Sequence, residues 1–250
     1  MIHPDYPYLY ETHLHTSQGS ACAHNTGYEM AKAAHEFGYA GIIVTDHNWG
    51  GNTAVDRGLP WEDWVYRFAE GYRDARRYAD EYDNFDVFFG YEAGFNATEF
   101  LIYGISPEWM AAHPQLREMN LEEHLRFVRN AGGMAIHAHP FREERYIPQI
   151  RLFPELVDGV ESVNANHSCS RRLSRHREEY DQRAIAYARE HSLFMSAGSD
   201  MHSHQLLGGG VALKHRLHSI EDFCNVIQTK QDHLLCNGDA FFDAQGVILK

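Results

Sequence analysis

The sequence is short of positive charge: 22 lysines and arginines stand against 35 aspartates and glutamates, a formal net charge of −13. A passive surface for long nucleic acid normally shows as a basic excess, so extended nucleic acid is not expected as a partner. Cysteine is scarce too. Cys22, Cys169, Cys224 and Cys236 are scattered with no C-x-x-C pair, which argues against a disulfide framework and suits a reducing compartment. No run approaches the roughly 20 apolar residues that a membrane-spanning helix needs. The first residues, Met1-Ile2-His3-Pro4-Asp5-Tyr6-Pro7, show neither a basic leader nor an apolar signal core. The expectation is a cytoplasmic protein without membrane contact. Repeats, low-complexity tracts and linkers are lacking as well, so residues 1–250 are read as one domain, a size that α/β barrels commonly reach.

What is there is an alternation of short apolar runs with helical patterns, which favours an α/β architecture with a parallel sheet. Strands are expected over 8–15, 40–45, 87–91, 134–138, 159–163 and 193–198, with a short extended return at 100–103. Helices are expected over 28–37, 61–82, 121–130 and 174–191. Gly38 is placed to close the first and Pro60 to open the second. Trp61, Trp64, Val65, Phe68, Tyr72, Ala75 and Ala79 make one apolar stripe, read as core packing. A last strand–helix unit follows Gly208-Gly209-Gly210, with Ser219 and Asp222 spaced as a cap, and Asn237-Gly238 marks a hairpin turn.

Six of the apolar runs lead to residues of metal-ligand type: His13-Leu14-His15, Thr45-Asp46-His47, Tyr91-Glu92, His137-Ala138-His139-Pro140, Asn166-His167 and Ser199-Asp200-Met201-His202. Six at matching places imply one site gathered at the end of a barrel, where catalytic residues collect. Residues i and i+2 of a strand share a side, so His13 and His15 can grip one cation, as can Asp200 and His202. By the same rule His137 faces away from His139, towards packing. Imidazole with carboxylate suits zinc, manganese or iron rather than calcium. Glu92, with two oxygens, can bridge neighbouring ions. Asp46 is placed to orient the imidazole beside it. These features point to a multinuclear metallohydrolase.

The ordered set H-x-H, T-D-H, G-x-E, A-H-P and G-S-D-x-H, running from His13 to about Gly210, resembles the PHP (polymerase and histidinol phosphatase) family and its small stand-alone members. The resemblance implies an α/β fold of the distorted (β/α)7, TIM-like barrel kind, with two or three divalent ions at the C-terminal ends of the strands. It implies that His13, His15, Glu92 and Asp200 hold a first ion. Glu92 would bridge to a second, completed by His139 and His167, and His47 and His202 would take a third. Many members serve that third ion with an Asp or His where this chain has Ser20 and Ala21; Cys22 and His24 are the substitutes in the same loop. Asn164 is the alternative to His167.

The activity so implied is hydrolysis of a phosphomonoester or phosphodiester by metal-activated hydroxide. The substrate would be a small phosphorylated compound: a histidinol-phosphate-like molecule, a sugar phosphate, a nucleotide or a short oligonucleotide. Catalytic roles are expected for His47, Glu92, Arg142 and His204, with Arg142, together with Arg145, as a phosphate clamp and His204 as an acid near the leaving group. Arg171, Arg172 and Arg175 are read as the solvated face of a helix. Two other readings stay open: a C–N or C–O hydrolase of amidohydrolase type, and a non-catalytic metal-binding module. Cationic side chains beside the ions would favour phosphate, an apolar pocket the amide, and a saturated shell the non-catalytic module.

Overall fold

The register of β1 (Tyr8–Leu14) against β2 (Gly41–Val44) shifts between Glu11 and Leu14. An irregularity of this kind resets the alternation of side chains along a strand. Leu9 and Leu14, five residues apart, therefore share one apolar layer with Met30, Ile42 and Val44, while Tyr10 packs in the other with Ile43. His13 and His15 flank Leu14 and so turn to the face opposite it.

The computed structural model describes residues 2–172, 177–230 and 233–249. After β1 come α1 (Gly27–Phe37), β2, α2 (Trp61–Phe68), α3 (Glu70–Ala79), β3 (Asp86–Phe95), β4 (Thr98–Tyr103), α4 (Pro107–Ala111) and α5 (Leu121–Asn130). Then follow β5 (Met134–His137), β6 (Gly159–Asn164), α6 (Ala165–Ser168), α7 (Glu178–Glu190), β7 (Phe194–Gly198), β8 (Gly209–Leu213), α8 (Ile220–Thr229), β9 (His233–Asn237) and β10 (Phe241–Phe242). The ten strands of the described residues join one sheet in the order β10-β9-β8-β1-β2-β3-β4-β5-β6-β7.

Strands β1, β2, β3, β5, β6 and β7 run in one direction, whereas β4 is antiparallel to both its neighbours, β3 and β5. The extended return expected at 100–103 is this strand. The sheet curls until β7 packs against β1, β8 and β9. There Leu14 and Met201 form a parallel bridge: the His15 N–H donates to the Met201 carbonyl (2.8 Å) and the Met201 N–H to that of His13 (3.0 Å). The molecule is thus an α/β protein built on a curled ten-stranded sheet, with the ends of β1 and β7 joined side by side.

Local sequence explains most helix ends. Thr26 and Asn120 cap α1 and α5 and receive the reciprocal bond from Glu29 and Glu123; Gly38, at φ 105°, ends α1. The single helix expected at 61–82 is instead two, broken at Ala69 (φ −78°, ψ 6°). Beyond the break α3 runs tightly against α1. A Cβ on Gly71 would sit 1.9 Å from Thr16 Oγ1, and one on Gly27 would sit 1.9 Å from the Gly71 carbonyl oxygen. The helix expected at 174–191 is seen as α7; its first residues, with Arg175, lie outside the described residues. Arg171 donates to the Leu207 carbonyl from a turn and is not part of a helix face. Among the described residues no helix is long and apolar enough to cross a membrane.

Candidate metal centre

Candidate ligands reach one place from five parallel strands or the segments that follow them. His13 and His15 come from the end of β1, His47 from just past β2, Glu92 from β3, His139 from just past β5, and Asp200 and His202 from just past β7. His139 (φ 27°) and Asp200 (φ 50°) hold left-handed backbone, which is uncommon in residues other than glycine and concentrates at functional sites.

Glu92 is fully buried and central. Its Oε1 lies 3.2 Å from both His13 Nε2 and His139 Nε2, and its Oε2 lies 2.7 Å from His47 Nδ1 and 3.7 Å from His15 Nε2. Asp200 Oδ1 stands 3.2 Å from His15 Nε2 and 3.4 Å from His13 Nε2. Four overlapping groups offer ligand atoms within 4.8 Å of one another: His13, His15 and Asp200; His13, Glu92 and His139; His15, His47 and His202; and His47, Glu92 and Glu99. Glu92 belongs to two of them.

Burial disfavours every charge here, and the neighbours decide which charges survive. Burial pulls His13 and His47 down, but the carboxylates outweigh it: Glu161, Glu92 and Asp200 raise His13, and Glu92 raises His47, both well above the ordinary value. Burial pushes Glu92 and Asp200 up, but His13 with His47 or His202 reverses this and holds both carboxyls well below their usual range. His15 is kept neutral by burial, by His202 and by His47. Burial likewise lowers His167, to about 3.

His13 Nε2, His15 Nε2, His47 Nδ1, Glu92 Oε2 and His167 Nε2 are buried atoms without a hydrogen bond of sound geometry. Buried polar atoms nearly always have partners. Imidazole nitrogens and carboxylate oxygens turned towards a common interior are the donor set of a divalent transition metal rather than of a hydrogen-bond network. The residues present fit divalent ions.

Three supporting residues escaped the sequence reading. Glu161, buried on β6, sets Oε1 2.9 Å from His13 Nδ1 and accepts the His139 N–H at Oε2 (3.0 Å). Its only signal was a charged residue within a strand otherwise free of charge. Ser20, which stands where other ligands were expected, accepts the His47 N–H (3.0 Å), lies 3.0 Å from His15 Nδ1 and donates to Asp46 Oδ1 (2.7 Å). Asp46 therefore supports His15 through Ser20; no direct bond to the His47 ring is formed. Glu99 on β4 lies 3.9 Å from His47 Nδ1 and 3.7 Å from His139 Nε2.

The remaining expected residues stand as follows. His167 sits beside His139, ring centroids 6.2 Å apart, with its Nδ1 4.0 Å from Asp181, and joins none of the four groups. Asn164 is occupied by Glu161 and by the Asn166 N–H. Arg142 is clamped by carboxylates, Nη2 to Glu99 (2.6 Å) and Nη1 to Asp200 (2.9 Å), while Arg145 is exposed. His204 is exposed and outside the four groups, and so is His24. His137 stacks on Phe100, as its position on β5 implied. Burial pushes the Cys22 thiol up, yet hydrogen bonds with His202 and His47 outweigh it and bring it down to about 6.

No family model matches the sequence, and no curated protein matches it. Solved structures do. A two-domain protein from Bacteroides vulgatus, named for an inferred PHP-like metal-dependent phosphoesterase, superposes with a TM-score of 0.68 at 13% identity. The match covers 94% of this chain but only 66% of that protein. A protein from Bifidobacterium adolescentis, whose metal-dependent phosphoesterase activity is likewise inferred, matches with a TM-score of 0.52 at 14% identity, over 87% of this chain and 94% of its own. An amidohydrolase from Chromobacterium violaceum matches more loosely, with a TM-score of 0.48 and 16% identity over 78% and 87% of the two chains. The chain has the fold of PHP-like metal-dependent phosphoesterases.

Proposed function

We propose that this chain is a metal-dependent phosphoesterase acting on a small phosphorylated substrate, and that its curled sheet is a variant of the distorted (β/α)7 barrel. The carrying observation is the position of Glu92, with two imidazoles facing each of its oxygens and several of the facing atoms left without hydrogen bonds. His13, His15 and Asp200 would hold one ion, Glu92 and His139 a second with His167 approaching from the side, and His47 and His202 a third, because Glu161 and Ser20 leave His13 and His15 one inward nitrogen each. Bound there, such ions lower the pKa of water and offset the charge of a phosphoryl group.

The protein's own contribution is to orient and to choose the anion. Glu161 and Ser20 fix the rings of His13 and His15 by their far nitrogens, which leaves both Nε2 atoms turned inward. The depression beside His139 is lined by Arg142 and Arg151 as well as Glu99. Two guanidinium groups next to the candidate ligands favour a phosphate over a neutral amide, and Arg can meet phosphate with two parallel hydrogen bonds. Arg142 pairs with Glu99 and Asp200; ions on those carboxylates would compete with it and free the guanidinium for an anion. His204 would serve the leaving group only if its exposed loop moves inward.

Hydrolysis of an aryl phosphate in the presence of added manganese or zinc tests this reading. The expected result is a metal-dependent rate that a His15→Ala, Asp200→Ala double variant loses. Equal rates for the two proteins would refute it.

A further inference from the structure

We propose that Glu99 is a ligand of the ion at His47, supplying the carboxylate that the loop after His15 does not. The inference rests on the metal-dependent reading above. His47, Glu92 and Glu99 form one of the four close groups. Glu99 Oε1 lies 3.9 Å from His47 Nδ1, and Glu99 Oε2 lies 3.7 Å from His139 Nε2. These gaps are too wide for hydrogen bonds. Ligand atoms each ~2.1 Å from one zinc stand ~3.5 Å apart in a tetrahedral set, so only a small closing of the side chain is needed. His47 Nδ1 and Glu92 Oε2, buried atoms of the same three residues, lack hydrogen bonds of sound geometry.

Strand register places Glu99 there. In the β3–β4 pair Gly94 lies opposite Glu99, and Glu92 opposite Leu101. Opposed residues share a face, as do residues two apart in a strand, so Glu92 and Glu99 stand diagonally on one face. Gly94 lets the loop following His47 lie against that face: a Cβ on it would stand 2.8 Å from the Gly51 Cα. Asn48 ties the loop down, its Oδ1 accepting the Gly94 N–H (3.1 Å) and its own N–H donating to the Glu92 carbonyl (2.9 Å). The loop after His15 offers less, since the Ser20 hydroxyl is engaged by Asp46, His15 and the His47 N–H. Arg142 pairs with Glu99 Oε2 (2.6 Å) and Asp200 Oδ2 (2.9 Å), so guanidinium and ion compete for these carboxylates. A carboxylate added to imidazole makes the position suit manganese or iron as well as zinc.

The test uses the full chain, stripped of metal by a chelator and titrated with manganese(II), the free ion being counted by electron paramagnetic resonance. Glu99→Gln is expected to bind one ion at least ~10-fold more weakly than wild type, the lower end of the cost of losing a group that merely supports a ligand. Arg142→Met removes the competing cation and is expected to bind as tightly as wild type or more tightly. A Glu99 that served only to hold Arg142 would make the two variants alike. Circular dichroism shows whether each variant is folded. Independently of any variant, manganese should slow carbodiimide labelling of Glu99 in wild type, mapped by mass spectrometry; the side chain is 13% exposed and lines the depression beside His139, where the reagent can reach it. Unchanged affinity in Glu99→Gln, an equal loss in both variants, or labelling of Glu99 at the same or a higher rate with metal would overturn the assignment while leaving the wider centre standing. Failure of wild type to bind any ion would overturn both.

Discussion

Glu161 Oε1 lies 2.9 Å from His13 Nδ1, and this contact leaves the other nitrogen of the ring facing Glu92 and Asp200. A carboxylate behind a ligating imidazole fixes its tautomer and orientation, and losing such a group costs about 10- to 100-fold in metal affinity. Glu161→Gln is expected to weaken zinc binding by that amount with the fold retained. Equilibrium dialysis against zinc measures it, and an unchanged affinity would show that His13 needs no support.

Ser20 is buried and serves three groups at once: Asp46, the His15 ring and the His47 N–H. Ser20→Ala leaves these without their partner, and a stranded buried polar group costs ~1–3 kcal/mol. A lower denaturation midpoint with an unchanged slope is the expected outcome. A variant as stable as wild type would mean that the hydroxyl is replaceable by water.

Gly198 lies where the chain leaves β7. A Cβ at this position would stand 2.6 Å from both Glu161 Oε1 and the His13 Cβ. Gly198→Ala should therefore destabilise the protein by ~1–3 kcal/mol, the usual cost of overpacking, and also weaken metal binding because it pushes on His13. Thermal unfolding and dialysis together separate the two effects. Loss of stability with full metal affinity would show that His13 yields without consequence.

His13 and His47 give opposite pH trends to the free and the metal-loaded chain. Their folded pKa values are raised, so in the free chain their ion pairs stabilise fully below the unfolded value of about 6.5 and lose this contribution as pH rises through the folded values. A divalent ion must displace the same protons, so the gain in Tm on adding zinc should be larger in mildly alkaline than in mildly acidic buffer. Titration calorimetry in two buffers of different ionisation enthalpy should give different heats. Identical heats would show that no protons leave.

The i,i+2 pair His13/His15 was legible because strand alternation is local, and the two share a group; Asp200 and His202, expected to grip one ion together, fall in different groups, with Asp200 in left-handed backbone past the end of β7. Helix α5 and the Gly38 end of α1 were equally local. The break at Ala69 was hidden because it leaves the apolar stripe of α2 and α3 in phase, and periodicity does not register one residue's change of ψ. The shift in β1 was hidden for the reverse reason: plain alternation puts Leu9 and Leu14 on opposite faces, yet they share a layer. Glu161 meets His13 across 148 positions of sequence, and nothing in its own neighbourhood says which strand will lie beside it. Ser20 was read as a missing ligand, although what it supplies is a hydroxyl held by Asp46.

The bridge between Leu14 and Met201 falls where the first and last parallel strands meet. His13 and His15 leave one rim of that seam, and Asp200 and His202 leave the other. An ion gripped by His13, His15 and Asp200 would act as a rivet across this bridge. Chelation would then do more than empty a reaction chamber: it would let the rims part, and amide hydrogens at His15 and Met201 would exchange sooner than those deeper in β1.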